Sequence, residues 1–226
     1  MTHPRDNSLK QGMVDGSAFD HGTISRFNAW FFNAFERYIN SIARTHKRNA
    51  FEDMEGETIL EIGAGTGANL SFVPPQAHVY AVEPSLRMHD RLADKAKRSG
   101  VNLTILGTKA EEIPLPDDSV DEAVATLVLC TVEDPQAVLA EVRRVLKPGG
   151  VFRFVEHVAA PSGTLRRRVQ RLIMRPWGWL FEGCDPGRET PELLEQAGFE
   201  NLTLEKKLFE HSVFYPVNTA VWGRAS

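Results

Sequence analysis

The feature that most constrains this chain is a short apolar stretch that runs directly into closely spaced glycines. Residues 58–62 have the length and branched side chains of a buried strand, and Gly63, Gly65 and Gly67 follow at once. Because glycine has no Cβ atom, it permits sharp turns with unusual φ angles and lets a ligand approach the main chain. We expect a helix to begin after the glycines, so that its unpaired N–H groups and positive dipole end face a bound ligand.

Strand-like and helix-like patterns alternate along the chain after this segment. Strands are predicted at residues 58–62, 79–82, 101–106, 121–127, 151–155, 202–209 and 213–222, and helices at residues 85–99, 134–146 and 190–197. Strands that alternate with helices run parallel and are joined by right-handed crossovers, whereas the last two strands are close enough for a hairpin. The sequence therefore predicts an α/β fold, a doubly wound and mostly parallel seven-stranded sheet with a terminal antiparallel hairpin.

Two segments outside this alternation are predicted to be helical lid elements. Residues 1–50 would form a loose N-terminal arm and a helix with one apolar stripe, which packs on the core, lies over a pocket as a lid or contacts lipid. The stripe consists of Phe27, Trp30, Phe31, Ala34, Phe35, Tyr38 and Ile42. The main domain, residues 51–226, is interrupted at residues 159–188 by a stretch rich in proline, glycine and arginine. We expect this insertion to lie over the functional edge of the sheet.

Composition and charge exclude several classes of protein. With 26 basic and 30 acidic side chains, the formal net charge is −4, which leaves no basic footprint for nucleic acid. Apolar residues make up 42% of the chain, but no run reaches the roughly 18 residues that a membrane-spanning helix needs. Residues 1–17 are polar and do not resemble a secretory signal, and two cysteines are too few for a disulfide framework. We therefore expect a cytoplasmic protein.

A carboxylate on the next strand narrows the choice of ligand. Glu83 ends the second predicted strand about twenty residues after the glycines, where it can accept hydrogen bonds from the ribose of an adenosine-type cofactor. The spacing from Gly63 to Ala68 also satisfies the dinucleotide fingerprint. However, a third glycine falls at Gly67, and Glu61 stands where it can meet a cationic amino-acid group. These features favour S-adenosylmethionine, with a nicotinamide-dependent reductase as the alternative.

Two further motifs complete a resemblance to a known family. Ala110-Glu111 follows the third predicted strand, and Leu146-Lys147-Pro148-Gly149-Gly150 ends the helix before the fifth. With the glycine segment, they make residues 55–157 resemble the class I S-adenosylmethionine-dependent methyltransferases. The resemblance implies a Rossmann-like methyltransferase fold, S-adenosyl-L-methionine as the methyl donor and S-adenosyl-L-homocysteine as the product.

The same resemblance implies which residues bind each part of the donor. Glu61 would hold the ammonium group, Glu83 the ribose hydroxyls, and Glu111 the exocyclic amine of the adenine. The full set is Glu61, Gly63, Ala64, Gly65 and Gly67 at the methionine portion, Glu83, Pro84, Ser85 and Met88 at the ribose and adenine, Ala110 and Glu111 at the adenine, and Thr126 and Leu127 near the reactive end.

The second half of the chain resembles a narrower group. Residues 127–132, Glu156-His157-Val158 and Gly183-Cys184 are similar to the methyltransferase-like-seven family, which are membrane-anchored mammalian enzymes that methylate small alkyl thiols. The polar residues 1–17 do not match the hydrophobic anchor of that family. Quinone C-methyltransferases and phospholipid N-methyltransferases share the same core. The resemblance implies a small, fairly apolar acceptor, with a thiol as first choice and a quinone-like carbon, a lipid amine or a phenol as alternatives. A non-enzymatic cofactor-binding sensor is the rival to an enzyme of this kind.

The acceptor site is predicted at the end of the fifth strand. A thiol must lose its proton before it attacks, and His157 stands where ligands of open α/β sheets bind and can accept a proton at about pH 7. Glu156 would orient His157 or face the pocket itself. The predicted acceptor pocket is lined by Phe31, Cys130, His157, Trp177 and Cys184. The alternative for the cysteines is that they are small apolar filler of the core.

Two other predictions concern a metal and a membrane. No metal site is predicted, because no close cluster of Cys and His with ligand spacing appears in the sequence. Five arginines between residues 166 and 175 are interleaved with apolar residues, which indicates an amphipathic helix. This helix makes weak contact with an anionic membrane surface, binds an acidic substrate or simply faces solvent. The sequence makes no prediction of oligomeric state.

Overall fold

The computed structural model describes residues 23–181, 183–209 and 212–226, with side chains described from residue 37 onward. The helices are α1 (Thr23–Phe51), α2 (Leu86–Ser99), α3 (Pro135–Val145), α4 (Leu165–Leu180) and α5 (Thr190–Gln196). The strands are β1 (Thr58–Ile62), β2 (His78–Val82), β3 (Asn102–Leu106), β4 (Val120–Thr126), β5 (Leu146–His157), β6 (Leu202–Leu208) and β7 (Thr219–Ala225).

Seven strands of the described chain form one sheet, in the order β3-β2-β1-β4-β5-β7-β6. The strands from β3 to β5 pair in parallel, whereas β7 is antiparallel to both β5 and β6. This topology confirms the predicted mostly parallel sheet with antiparallel terminal strands. The strand order reverses between β1 and β4, and ligands of open α/β sheets bind beyond the carboxyl ends of the strands at such a point.

The central strands are apolar because helices cover both faces of the sheet. In β1, Ile59 packs in a cluster that includes the end of α1 and the buried side of α2, whereas Leu60 and Ile62 pack in a second cluster with α3. Successive side chains of a strand point to opposite faces, so one strand contributes to both clusters. Full burial of each such side chain stabilises the fold by about 1.5–3 kcal/mol.

A helix was predicted to begin after the glycines that follow β1, but this segment forms a series of turns. Gly63, Gly65 and Gly67 have φ angles of 62°, 55° and 82°, and a series of hydrogen-bonded turns runs on to residue 72. Each left-handed φ angle leaves the region that a right-handed helix requires, and Pro74 and Pro75 follow before a long helix can form. A ligand beside the glycines therefore meets the main chain of successive turns, and the helix that begins at this edge is α2, after Glu83.

The last strand also differs from its prediction. Pro216 lies inside the stretch predicted as a strand, and proline has no N–H group for the hydrogen-bond ladder. Residues Tyr215–Val217 instead form a 3₁₀ helix, and β7 begins only at Thr219. Strand β5 begins earlier than predicted, at Leu146, because that residue pairs with Val120 across an irregularity in the register.

A buried arginine joins the end of α1 to the sheet. Arg153 on β5 is 3% exposed, donates to the carbonyl oxygens of Ala50 and Asp53 over 2.9 Å each, and forms ion pairs with the side chains of Asp53 and Glu122. The carboxyl-terminal part of α1 thus packs against the sheet, whereas the side chain of Phe31 lies outside the described residues. No helix in the described part of the chain is long and apolar enough to cross a membrane.

Candidate functional site

The carboxyl ends of four parallel strands bring together most of the residues predicted to bind ligands. β1 runs into the glycine turns, β2 ends before Glu83, β4 ends at Thr126 and β5 ends at His157. Since β2, β1, β4 and β5 are successive neighbours in the sheet, these residues lie along one edge. That edge includes the point at which the strand order reverses.

Glu83 links the end of β2 to the glycine turns. Its Oε2 atom accepts a hydrogen bond from the N–H of Gly65 over 2.7 Å, and its Oε1 atom accepts one from the N–H of Ser85 over 2.9 Å. These two hydrogen bonds hold the Glu83 side chain in one place, and the residue is buried, with 7% of its surface exposed. A fixed carboxylate at this position suits the recognition of a diol such as the ribose hydroxyls.

Glu61 is a buried carboxylate whose second oxygen has no partner among the described residues. Asn69 Nδ2 donates to Glu61 Oε1 over 3.0 Å and to Thr126 Oγ1 over 3.1 Å, whereas Glu61 Oε2 makes no hydrogen bond. Burial raises the pKa of Glu61 to about 7, although the hydrogen bond from Asn69 opposes this rise. A cationic group placed here would satisfy the open oxygen and restore the charge.

The sequence analysis missed Asn69. It connects β1 to β4 through its two hydrogen bonds, and it is 6% exposed. In the sequence, Asn69 is only a polar residue in the segment that follows the glycines. Its role becomes visible when Glu61 and Thr126 are known to be its neighbours.

The glycines of the turn have different roles. A Cβ atom on Gly63 would lie 2.4 Å from Cγ2 of Val128, and one on Gly67 would lie 2.8 Å from Cδ1 of Leu70. Neighbouring side chains therefore leave no room for a side chain at either glycine. A Cβ atom on Gly65 would meet nothing within 4 Å. The space beside Gly65 is therefore open next to the carboxylate of Glu83, where a ligand can reach the main chain.

The residues after Glu83 stand at the start of α2. Pro84, Ser85 and Met88 are all partly exposed. Ser85 is the N-cap residue of α2, as predicted, but its side chain makes no capping hydrogen bond. Their proximity to Glu83 in the chain keeps them at the edge of the sheet, and their contacts with a donor remain predictions.

The loop after β3 is joined to the start of α3. Glu111 Oε1 accepts hydrogen bonds from the N–H groups of Glu133 and Asp134 over 3.1 and 3.2 Å, and Ala110 beside it is 6% exposed. Part of the Glu111 carboxylate therefore fixes the beginning of α3. Its contact with the adenine amine remains a prediction.

The turn after β4 is strained and is held by Glu156. Leu127 has a φ angle of 55°, which residues with a side chain rarely adopt. The N–H groups of Val128 and Leu129 donate to Glu156 Oε1 over 2.9 and 3.0 Å. Burial raises the pKa of Glu156 to about 7, although these bonds oppose the rise. The hydrogen bonds of Glu156 thus go to this turn, and the predicted contact that would orient His157 is not among them.

Four of the five residues predicted to line the acceptor pocket come together. His157 Nε2 lies 3.2 Å from Cys184 Sγ, which lies 3.9 Å from Cys130 Sγ. The indole N–H of Trp177 donates to Cys184 Sγ over 3.4 Å. Cys130 and His157 are buried, whereas Cys184 is partly exposed. The fifth residue, Phe31, has a side chain outside the described part of the structure.

The charges within this cluster depend on one another. The pKa of the Cys184 thiol is lowered by its hydrogen bond with Cys130 and by the charge of His157. The pKa of Cys130 is raised by the same pairing and by burial. Burial alone would lower the pKa of His157, but the charge of Cys184 and the hydrogen bond between them raise it. The cluster thus favours a Cys184 thiolate beside a His157 imidazolium.

The sequence predicts no metal site because it shows no close cluster of Cys and His residues, but the structure brings three such residues together. Cys130, His157 and Cys184 each offer one ligand atom, and the three atoms lie within 4.8 Å of one another. Contacts between loops create this arrangement: the N–H of Asp185 donates to the carbonyl oxygen of Cys130 over 2.8 Å. The spacing of Cys and His along the chain gives no sign of it.

The fold and the site define a Rossmann-like protein that binds a nucleoside cofactor with a cationic amino-acid part. The family described as "Methyltransferase domain" matches residues 60–154. The human thiol S-methyltransferase TMT1B is 36% identical over 179 residues, which cover 74% of this chain and 73% of that protein. The phosphatidylethanolamine N-methyltransferase of Cereibacter sphaeroides is 30% identical over 155 residues, which cover 67% of this chain and 76% of that relative.

A solved structure extends the similarity to the fold. An S-adenosylmethionine-dependent methyltransferase from Thermotoga maritima has a TM-score of 0.61 and 24% identity, covering 88% of this chain and 98% of that one. The chain therefore belongs to the S-adenosylmethionine-dependent methyltransferases, and S-adenosylmethionine is its cofactor. Membership of this family decides against the two alternatives from the sequence analysis, a nicotinamide-dependent reductase and a non-enzymatic sensor.

The residues of the site fit this cofactor. The unpartnered, buried Oε2 atom of Glu61 suits the ammonium group, and the open space at Gly65 leaves room for the donor against the main chain. Glu83 presents its carboxylate beside that space. When bound, the cofactor supplies an electrophilic methyl group on a sulfonium.

Proposed function

We propose that this enzyme transfers the methyl group to a small, fairly apolar thiol. The observation that carries the proposal is the 36% identity, over 74% of the chain, to a protein named as a thiol S-methyltransferase. The cluster of Cys130, His157, Trp177 and Cys184 supports it, because the imidazole of His157 and the indole N–H of Trp177 both contact a sulfur atom and can stabilise a sulfur anion.

The residues of the chain have two tasks in this reaction. The first is to hold donor and acceptor in line and exclude water, which we assign to the glycine turns, Glu61 and Glu83 on the donor side. The second is to favour the thiolate of the acceptor. The bound donor would supply the methyl group, so that a bond forms between the acceptor sulfur and the methyl carbon as the bond from that carbon to the donor sulfur breaks. The acceptor proton would leave to the Cys184 thiolate, which the His157 imidazolium holds by a hydrogen bond. The products are a thioether and S-adenosylhomocysteine.

A matched pair of acceptors tests the proposal. Purified protein and radiolabelled S-adenosylmethionine would be incubated with an alkyl thiol, and with the amine and the alcohol of the same chain length. We expect methylation of the thiol, with the amine and the alcohol unmodified. Phosphatidylethanolamine and a hydroquinone belong in the same panel, because a relative is named as a phosphatidylethanolamine N-methyltransferase. Transfer to one of these and none to thiols would replace the proposal.

His157 gives a second test of the acceptor site. His157→Gln should lower kcat for the thiol by about 10²- to 10⁴-fold if the Cys184–His157 pair accepts the proton, while the Kd for S-adenosylhomocysteine changes little. Wild-type turnover from about pH 6 to 9 in that variant would exclude His157 from the proton transfer.

We also propose weak contact between α4 and anionic lipid. The helix has five arginines and no acidic residue. Leu165, Leu172 and Trp179 on it are 69%, 81% and 69% exposed, so its surface combines apolar and cationic groups. Sedimentation with phosphatidylcholine vesicles should require added phosphatidylglycerol and should weaken in Leu172→Ser. Val213→Ser, at a residue that is 76% exposed elsewhere, is the control. Equal binding by both variants would argue against this contact.

A further inference from the structure

The three ligand atoms of Cys130, His157 and Cys184 lie within 4.8 Å of one another, close to the spacing of a tetrahedral metal site. Zinc lies about 2.3 Å from a thiolate sulfur and about 2.0–2.1 Å from an imidazole nitrogen, so tetrahedral geometry separates two sulfurs by about 3.8 Å and a sulfur from a nitrogen by about 3.6 Å. The corresponding distances here are 3.9 Å between the two sulfurs and 3.2 Å between His157 Nε2 and Cys184 Sγ. The third pair, Cys130 Sγ and the His157 nitrogen, lies within 4.8 Å, so shifts of up to about 1 Å would place all three atoms on one ion.

The surroundings of the cluster hold its members in position. Cys130 and His157 are 1% and 5% exposed, and the N–H of Asp185 joins the Cys184 loop to the carbonyl oxygen of Cys130. His157 Nδ1 has no hydrogen-bond partner among the described residues, so the hydrogen bond that positions the ring is the one between Nε2 and Cys184 Sγ. Cys184 is partly exposed, which gives an ion a route of entry.

We propose that Cys130 Sγ, His157 Nε2 and Cys184 Sγ bind a zinc-class divalent ion and leave its fourth position open. In the described part of the chain, no further Cys, His, Asp or Glu atom joins the group. Three protein ligands with one open position are typical of catalytic zinc, whereas structural zinc is bound by four. Two thiolates and one imidazole are soft to borderline ligands, which favour zinc over magnesium or calcium.

The open position suits the sulfur of the acceptor, and this step rests on the proposed thiol methylation. A thiol that binds the ion loses its proton, because a coordinating thiol is deprotonated outright. The proton leaves to solvent, the metal-bound thiolate attacks the methyl carbon, and the neutral thioether, a weaker ligand, dissociates. In this arrangement Cys184 and His157 are ligands and do not accept the proton.

Metal content measured by mass spectrometry tests the site without any substrate. Protein purified without an affinity tag and incubated with Zn²⁺ should retain about one zinc per chain after desalting. Cys130→Ser, Cys184→Ser and His157→Gln should each lose most of it. His78→Gln, whose ring bonds to Thr104 Oγ1 at the amino end of β2, should retain it. Cobalt added to the metal-free protein should give thiolate-to-metal absorption that both cysteine variants lack.

The outcomes separate this inference from the proposed function. Protein that binds S-adenosylhomocysteine normally but retains no zinc, with the two thiols either free or joined as a disulfide, overturns the metal site. Zinc-loaded protein that methylates no thiol overturns the proposed function and leaves the metal site standing. If both hold, removal of zinc by a chelator should lower thiol methylation at least about tenfold. Unchanged methylation would show that the ion does not activate the acceptor.

Discussion

Glu83 Oε2 accepts a hydrogen bond from the main-chain N–H of Gly65 over 2.7 Å. The bond joins the segments that follow two neighbouring strands, since Glu83 follows β2 and Gly65 follows β1, and β1 borders the point at which the strand order reverses. It sets the position of the carboxylate beside open space, before any donor is bound. Pre-organisation of this kind lowers the cost of ordering the site when the donor binds.

Glu83→Gln should weaken binding of S-adenosylhomocysteine. The ribose hydroxyls lose a charged acceptor worth about 1.5–3 kcal/mol, which corresponds to an increase in Kd of about 10- to 150-fold. Calorimetric titration measures this change. Glu205→Gln, which removes a carboxylate from an exposed ion pair with Lys207 on β6, is the control and should bind as the wild type does. An unchanged Kd in folded Glu83→Gln would contradict the assignment.

Gly65→Ala should separate backbone strain from loss of the ligand site. Gly65 and Gly100 have φ angles of 55° and 70°, and a Cβ atom on either would meet nothing within 4 Å. Both alanine variants should therefore lose about 1–2 kcal/mol of stability through the left-handed conformation alone. Only Gly65→Ala should also lose donor affinity, because its methyl group enters the open space beside Glu83. Equal donor affinity in the two variants would remove Gly65 from the donor site.

Donor affinity should depend on pH through Glu61. Its pKa is raised to about 7, so the carboxyl is largely neutral below that pH and cannot pair with the ammonium group of the donor. Affinity is therefore highest above the pKa and falls as the pH decreases through it, by up to about tenfold per pH unit. Kd values for S-adenosylhomocysteine between about pH 5.5 and 7.5, below the titration of the ligand's amino group, would show the decrease. Glu61→Gln should bind more weakly and give a flat profile, and a wild-type profile that is already flat would contradict the pairing.

Arg153→Met should destabilise the fold. It leaves the carboxylate of Glu122, which is 6% exposed, without its buried ion-pair partner, and breaking such a pair costs about 3–5 kcal/mol. Urea denaturation measures the free energy of unfolding. Adding Glu122→Gln should recover part of the loss, because it removes the unpaired charge but keeps an oxygen for the N–H groups of Glu55 and Gly56. A loss below about 1 kcal/mol would show that the network adds little.

Local patterns account for the parts of the site that the sequence could predict. Glu61, Glu83 and the glycines stand next to the ends of β1 and β2, so locating those strands also locates the residues at one edge of the sheet. The prediction of a helix after Gly67 was wrong because three left-handed glycines and two prolines outweigh the general pattern of strand, glycine and helix. The final strand was misplaced for a similar reason, since Pro216 interrupts an otherwise apolar stretch.

The sequence by itself determined the order of the strands along the chain, the parallel sheet and the edge at which the donor is predicted to bind, because each depends on periodicity and on residues adjacent in the chain. Only the tertiary structure decided that Glu156 holds the turn after β4, that Asn69 joins Glu61 to Thr126, and that Cys130, His157 and Cys184 meet. These contacts join residues on different strands and loops, which the packing of the sheet brings within a few ångströms. Distance along the chain carries no information about such contacts until the strand order is known.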